Sequence, residues 1–179
     1  MKVLLPLLVL LLLAVAGTGQ SVKAKIAKFD GAKFYSVNYD PTANTTLITS
    51  PEQTARRSNE IPPRTLEVWT ELRFPGTEPK GNATLDLVLV NLAFSETFRE
   101  DHHLSLNVDG KAIDIGDGTR SVRKGPLFDY VETMTYRLTA EQLAVLSRAK
   151  TVAIHIEQFE GPLRDETVAT VRNMISLMN

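Results

Sequence analysis

The residues best able to do chemistry sit in one short run, Glu100-Asp101-His102-His103, with His155 as the remaining histidine. Imidazole and carboxylate are the usual protein ligands of zinc and related metals. If His103 and His155 lie on adjacent strands with Asp101 at a strand end, the three converge on one cation. A metal-bound water there would make the chain a hydrolase. Neighbouring residues of a strand point to opposite faces, so His102 and His103 serve one metal only if that stretch is a loop. His155 is out of phase with Val152, Ile154 and Ile156 and is expected to face away from them. The plainer expectation is a polar loop leading into a strand, plus one solvent-facing histidine.

A second candidate is Trp69, flanked by Glu67, Glu71 and Arg73 on the polar side of an alternating run. An aromatic ring on a polar sheet face can serve as a platform for a sugar or a peptide. The competing expectation is that a second layer, such as the terminal helix, covers it. Arg56-Arg57 is the most basic spot in the chain and could meet an anionic partner, or simply be a solvated loop. Paired carboxylates for glycoside hydrolysis can be drawn from Glu67, Glu71 or Glu132, with nothing local to choose among them. Asn107, Asp109, Asp114 and Asp117 invite a calcium reading, but their spacing fails the EF-hand pattern, and turns favour Asp for backbone reasons alone.

Other chemistries are excluded or unsupported. There are no cysteines, which removes disulfides, thiolate metal sites, a Cys nucleophile and an acylated-Cys anchor. No Gly-x-Ser-x-Gly, Gly-x-Gly-x-x-Gly or Walker loop occurs, so no nucleotide cofactor is expected. The formal net charge of −1 gives no support for nucleic-acid binding, which needs a basic face, although a local basic patch stays open.

The elements that must position these residues begin after an export signal. Lys2 precedes an apolar stretch from Val3 to Ala16. Ala14-Val15-Ala16 then supplies a small-x-small cleavage site, the three-part pattern of a secretory signal peptide. The stretch is shorter than the roughly 20 residues a membrane-spanning helix needs. Residues 1–19 are therefore expected to be removed after Ala16 or Gly19. Residues 20–179 then form a single domain, large enough for its own core, with no further span. Together these readings predict a periplasmic or secreted protein.

Gln20 to Ala32 reads as a lysine-spaced arm or a first edge strand. Strands are predicted over Lys33–Tyr39, Thr45–Thr49, Leu66–Phe74, Thr84–Phe94, His103–Val108, Lys111–Ile115, Asp129–Leu138 and Thr151–Ile156. Pro51 to Arg64 reads as a loop. Thr84–Phe94 is almost continuously apolar, as a strand covered on both faces would be. Asp109-Gly110 supplies the positive φ angles of a type I′ hairpin turn, and Gly116-Asp117-Gly118 reads as a second turn. Thr139-Ala140-Glu141-Gln142 has the capping-box form and starts a short helix. Gly161-Pro162 is expected to break the following strand. From Leu163 a final helix carries Val168, Val171, Ile175 and Met178 as an apolar stripe. With strands first and helices last, the fold class is a mostly β antiparallel sandwich with one short and one longer C-terminal helix; α+β is the alternative.

The capped helix from Thr139-Ala140-Glu141-Gln142, the strand through Ala149-Lys150-Thr151-Val152, the closing helix and the Tyr39-Asp40 to Thr46 start together resemble uncharacterised exported bacterial β-rich proteins. The resemblance implies a sheet-plus-terminal-helix domain and an envelope location, and no activity. The function expected is a non-catalytic binding or structural domain whose partner is an envelope protein or a small ligand. The rivals are the His/Asp metal hydrolase and a subunit that pairs through a strand edge.

Overall fold

A computed structural model of the chain describes residues 22–29, 32–57, 65–79, 81–98, 102–156 and 159–178. The expected signal peptide, residues 1–19, lies outside them. Among the described residues eleven strands form two antiparallel sheets, the sandwich expected from the sequence. The larger sheet runs β1 (Ser36–Asp40), β2 (Thr45–Thr49), β4 (Thr65–Pro75), β5 (Thr84–Ala93), β9 (Tyr130–Arg137) and β8 (Thr119–Arg123), with β3 (Gln53–Arg57) also paired to β4. The smaller sheet runs β11 (Phe159–Pro162), β10 (Val152–Ile156), β6 (His103–Val108) and β7 (Lys111–Asp117).

Period-two alternation puts one side of each sheet into a shared core. The larger sheet contributes Ile48, Leu66, Val68, Leu72, Leu87 and Leu89, and the smaller Leu104, Leu106, Ile154 and Ile156. The C-terminal helix, Asp165–Ser176, adds Val168, Val171, Met174 and Ile175 to the same cluster and lies against β4. Each such side chain stabilises the fold by roughly 1.5–3 kcal/mol. β5 is buried on both faces, because Val88 and Val90 join Val131 in a second apolar cluster on the outer side. The short helix, Ala140–Leu146, carries the predicted capping box: Gln142 N donates to Thr139 Oγ1, and Gln142 Oε1 accepts from Thr139 N. No helix among the described residues is long and apolar enough to cross a membrane.

Four local expectations are corrected. The lysine-spaced start is neither arm nor strand: residues 22–26 are helical, and Val22 and Ile26 are buried in the core at i, i+4 spacing. Part of the predicted Pro51–Arg64 loop is strand β3, which pairs the N-terminal half of β4. Gly116 and Asp117 belong to β7, where Ser105 pairs Asp114 and Leu104 pairs Gly116, so the ladder carries a bulge rather than a turn. Gly161 and Pro162 form β11, paired to β10; Pro162 is tolerated because β11 is an edge strand that needs no outward amide.

Candidate functional site

Among the described residues a large concavity is built where β2 and β3 meet. Ser50 continues the β2 ladder, its N–H donating to Thr70 O at 3.0 Å and its Oγ accepting from Thr70 N at 2.9 Å. The next paired residue is Gln53, opposite Val68. Pro51 and Glu52 therefore stand opposite the single residue Trp69, and proline has no amide to offer the ladder. This jog turns the chain outward and leaves a groove between it, the C-terminal helix and the segment around Phe34. One cavity of about 630 Å³ is lined by Phe34, Pro51, Glu52, Gln53, Arg164 and Glu166. A second, about 450 Å³, shares Phe34, Pro51, Gln53 and Glu166 and extends past Lys28, Phe29 and Thr170. Both fall in the size range of ligand pockets.

The floor of the groove is rigid. Gln53 Nε2 donates to Thr170 Oγ1 at 3.2 Å, and Gln53 Oε1 accepts from Thr167 Oγ1. The strand jog is thereby tied to the first turns of the C-terminal helix. At the rim Phe34 is 62% exposed, with Lys33 Nζ 4.9 Å from its ring centroid. The walls carry both signs of charge, Lys28 and Arg164 against Glu52 and Glu166.

The outer face of β4 adjoins the jog. Trp69 is half-buried there, resting on the Val88–Val90–Val131 cluster, and its Nε1 donates to Glu71 Oε1 at 3.3 Å. The C-terminal helix packs on the opposite face of β4, so it is not the cover that the sequence suggested for Trp69. Burial pushes the Glu67 carboxyl up to about 7, and a hydrogen bond to Glu52 and that group's like charge push the same way. The Glu67 carboxyl thus stands beside Glu52 at the edge of the groove. Arg56 and Arg57 lie on β3, opposite Leu66 and Thr65, with side chains outside the described residues.

The histidines occupy a different surface, the solvent side of the smaller sheet. His155 pairs Ser105 on one side and Glu160 on the other, and His103 is two residues along β6 from Ser105, so both histidines share a face. Glu160 Oε2 lies 3.9 Å from His155 Nδ1. The β7 bulge brings Asp114 and Asp117, which would otherwise point to opposite sides, onto the His103 side. Nε2 of His103 is 2.8 Å from Asp114 and Nδ1 is 2.9 Å from Asp117. Two acceptors facing both ring nitrogens suit an imidazolium, which donates from both; a metal needs one of those lone pairs. The hydrogen bond to Asp117 leads, and Asp114 contributes, in holding the His103 pKa above its ordinary value. Asp101 lies outside the described residues, and no group of three or more His, Cys, Asp or Glu side chains among the described ones is arranged to hold a metal ion.

Glu132 is fully buried on the inner face of β9. It accepts from Asn91 Nδ2 at 2.7 Å, Thr97 N at 3.0 Å, Phe98 N at 3.1 Å and Arg120 Nη2 at 2.8 Å. Burial alone would raise its pKa, but these donors outweigh it and hold the carboxyl below the usual range. The arrangement pins the start of the β5–β6 connection to the sheet and faces no cavity described above.

The groove residues Phe34, Glu52, Gln53, Arg164 and Glu166 were not singled out from the sequence. They come from three separated segments, and only the Pro51 interruption of a β-like run hinted at an irregular edge. Comparison with protein-family models, with curated proteins and with solved structures finds no match to this chain.

Proposed function

We propose that the chain is a non-catalytic binding domain of the bacterial envelope that holds an extended zwitterionic ligand, a peptide segment, in the groove between the β2–β3 jog and the C-terminal helix. The N-terminal Lys2-to-Ala16 pattern supports export. The single observation that carries the binding role is the pair of adjoining cavities, about 630 and 450 Å³, which share Phe34, Pro51, Gln53 and Glu166. Their linings run from Arg164 and Glu52 past Phe34 to Lys28 and Asn173, which suits a ligand that touches several segments. Phe34 offers an apolar anchor whose exposure gains from being covered. Lys28 and Arg164 match carboxylates, and Glu52 and Glu166 match amines or guanidinium groups.

The test is titration of the protein with a mixed-sequence peptide library, followed by amide chemical shifts. Peptides that bind should perturb residues 28–34, 50–53 and 164–173. Phe34→Asp should abolish the perturbation and leave the melting temperature near that of the parent, since the ring is mostly in water. Binding that survives both Phe34→Asp and Arg164→Glu, or the absence of any binding at millimolar peptide, would remove this reading.

A further inference from the structure

A second surface, at one end of the larger sheet, has a different character. The β8–β9 loop, residues 124–129, and the residues just after β5 lie side by side, because Ala93 pairs Tyr130 and Arg123 pairs Val131. Gly125 N–H donates to Phe128 O at 3.0 Å, which ties together the two sides of a bend that carries Pro126 and Leu127. Gly125 leaves no room for a larger residue: a Cβ there would come within 2.8 Å of Val131 Cγ2 and 3.1 Å of Phe128 O. Leu127, at the tip, is 79% exposed. Beside it the rings of Phe94 and Phe128 stack at 5.4 Å between centroids, with Phe94 46% exposed. Val122, on the strand leading in, is 42% exposed.

Three exposed apolar side chains, Leu127, Phe94 and Val122, are too few for a stable protein interface, which covers on the order of 800 Å² per partner. A lipid surface accepts such a tip. Exposed Arg123 and Lys124 enter the turn directly, while Asp129 is the acidic residue at its exit. Glu96, in the β5–β6 connection, shares Arg120 with buried Glu132, so Arg123 and Lys124 are the exposed cations of this end of the sheet. One apolar anchor or a few basic residues alone bind membranes weakly, whereas the two together hold.

We infer that the β8–β9 turn is a membrane-docking tip, in which Leu127, Phe94 and Phe128 enter the headgroup boundary of an anionic bilayer while Arg123 and Lys124 meet its charge. The tip lies on residues distinct from the peptide groove, so either assignment stands without the other.

The chain has no cysteines, so a single introduced one reports on a single position. The full chain carrying Leu127→Cys, labelled with an environment-sensitive fluorophore, is mixed with vesicles of phosphatidylglycerol and phosphatidylcholine, or of phosphatidylcholine alone. Ser147→Cys, exposed at the end of the short helix, is the control, so binding through the apolar N-terminal stretch does not register at the tip. The expected result is a blue shift at position 127 with anionic vesicles, absent at 147 and weakened at high salt. Unlabelled Phe94→Asp in the Leu127→Cys background should reduce the bound fraction at least tenfold. An equal shift with phosphatidylcholine alone, an equal shift at position 147, or no shift overturns the assignment. So does a blue shift that grows with protein concentration before vesicles are added, which would make the tip a contact between copies of the chain.

Discussion

Arg120 and Glu132 sit on neighbouring strands but not opposite each other. Arg120 pairs Met134 and Glu132 pairs Val122, so their 2.8 Å ion pair runs diagonally across the inner face of the sheet. From there Arg120 Nη2 also reaches Glu96 in the β5–β6 connection. One guanidinium thus joins a strand edge to the segment that crosses between the two sheets. The network is tight but incomplete: Asn91 Oδ1 and Arg120 Nε are buried without a hydrogen-bond partner.

Arg120→Met removes the charge partner of a buried carboxylate and is expected to cost roughly 3–5 kcal/mol in urea denaturation. Glu132→Leu should cost at least as much, because it also strands Asn91 Nδ2 and the Thr97 and Phe98 amides. The double replacement should therefore lose less than the sum of the two single ones, and no less than Glu132→Leu alone. A double-mutant cycle that returns simple additivity would show that the pair is not coupled.

Acid should weaken the same network. The Glu132 carboxyl titrates below its ordinary value of 4.5 in the folded chain. Its contribution is therefore fully present above 4.5 and is lost as pH falls through the lower folded value. His103 works in the other direction. Its folded pKa is raised above 6.5, so the clamp by Asp114 and Asp117 is present below 6.5 and lost as pH rises through the folded value. Glu67 adds to the alkaline loss: its carboxyl is favoured in the protonated form, and stability falls as pH rises from 4.5 to about 7. The melting temperature should therefore peak on the mildly acidic side. His103→Gln should flatten the upper part of the alkaline limb and Glu67→Gln the lower part; unchanged profiles in both variants would contradict this account.

Gly118, which links β7 to β8, is constrained by space rather than by φ. A Cβ there would lie 2.6 Å from Tyr136 Cε1. Gly118→Ala is expected to cost about 1–3 kcal/mol by overpacking. In a Tyr136→Leu background the same change should cost much less. Tyr136→Phe keeps the ring and loses the hydroxyl's 2.7 Å donation to His102 O, a loss of about 0.5–1.5 kcal/mol that should not relieve the clash.

Asp109 joins the two ends of the smaller sheet's connections. Its φ of +51° starts the β6–β7 turn, and its Oδ1 accepts from Thr151 N at 2.8 Å and Lys150 N at 3.1 Å. Asp109→Ala should lower the melting temperature more than Asp109→Asn, which tolerates the left-handed backbone and keeps one acceptor oxygen. Equal loss in the two variants would mean that charge, not geometry, matters at this turn.

Legibility followed locality. The Asp109-Gly110 hairpin, the Thr139–Gln142 capping box and the doubly buried β5 were all readable, because each is specified by neighbours in sequence. β3 and β11 were not, since their pairing is supplied by β4 and β10 and overrides the prolines beside or within them. Val22 and Ile26 were obscured by Lys23 and Lys25, although their own spacing is helical. Of the candidate site residues, the outward direction of His155 followed from strand phase, while its place on one face with His103 needed the pairing of β10 with β6. The bulge that turns both aspartates toward His103 did not, because it exists only in the register between β6 and β7.

Composition and period therefore determined that this chain makes antiparallel sheets closed by a helix, because hydrophobic alternation and capping act within a few residues. They also marked His103, His155 and Trp69 as residues of interest. Only the tertiary structure decided what stands around them. The groove at Phe34 and Arg164 depends on Pro51 interrupting one ladder while Gln53 binds a helix more than a hundred residues away in sequence. The exposed tip at Leu127 stands beside Phe94 because β9 pairs β5 on one side and β8 on the other. Both features arise from contacts between distant segments, which no local pattern encodes.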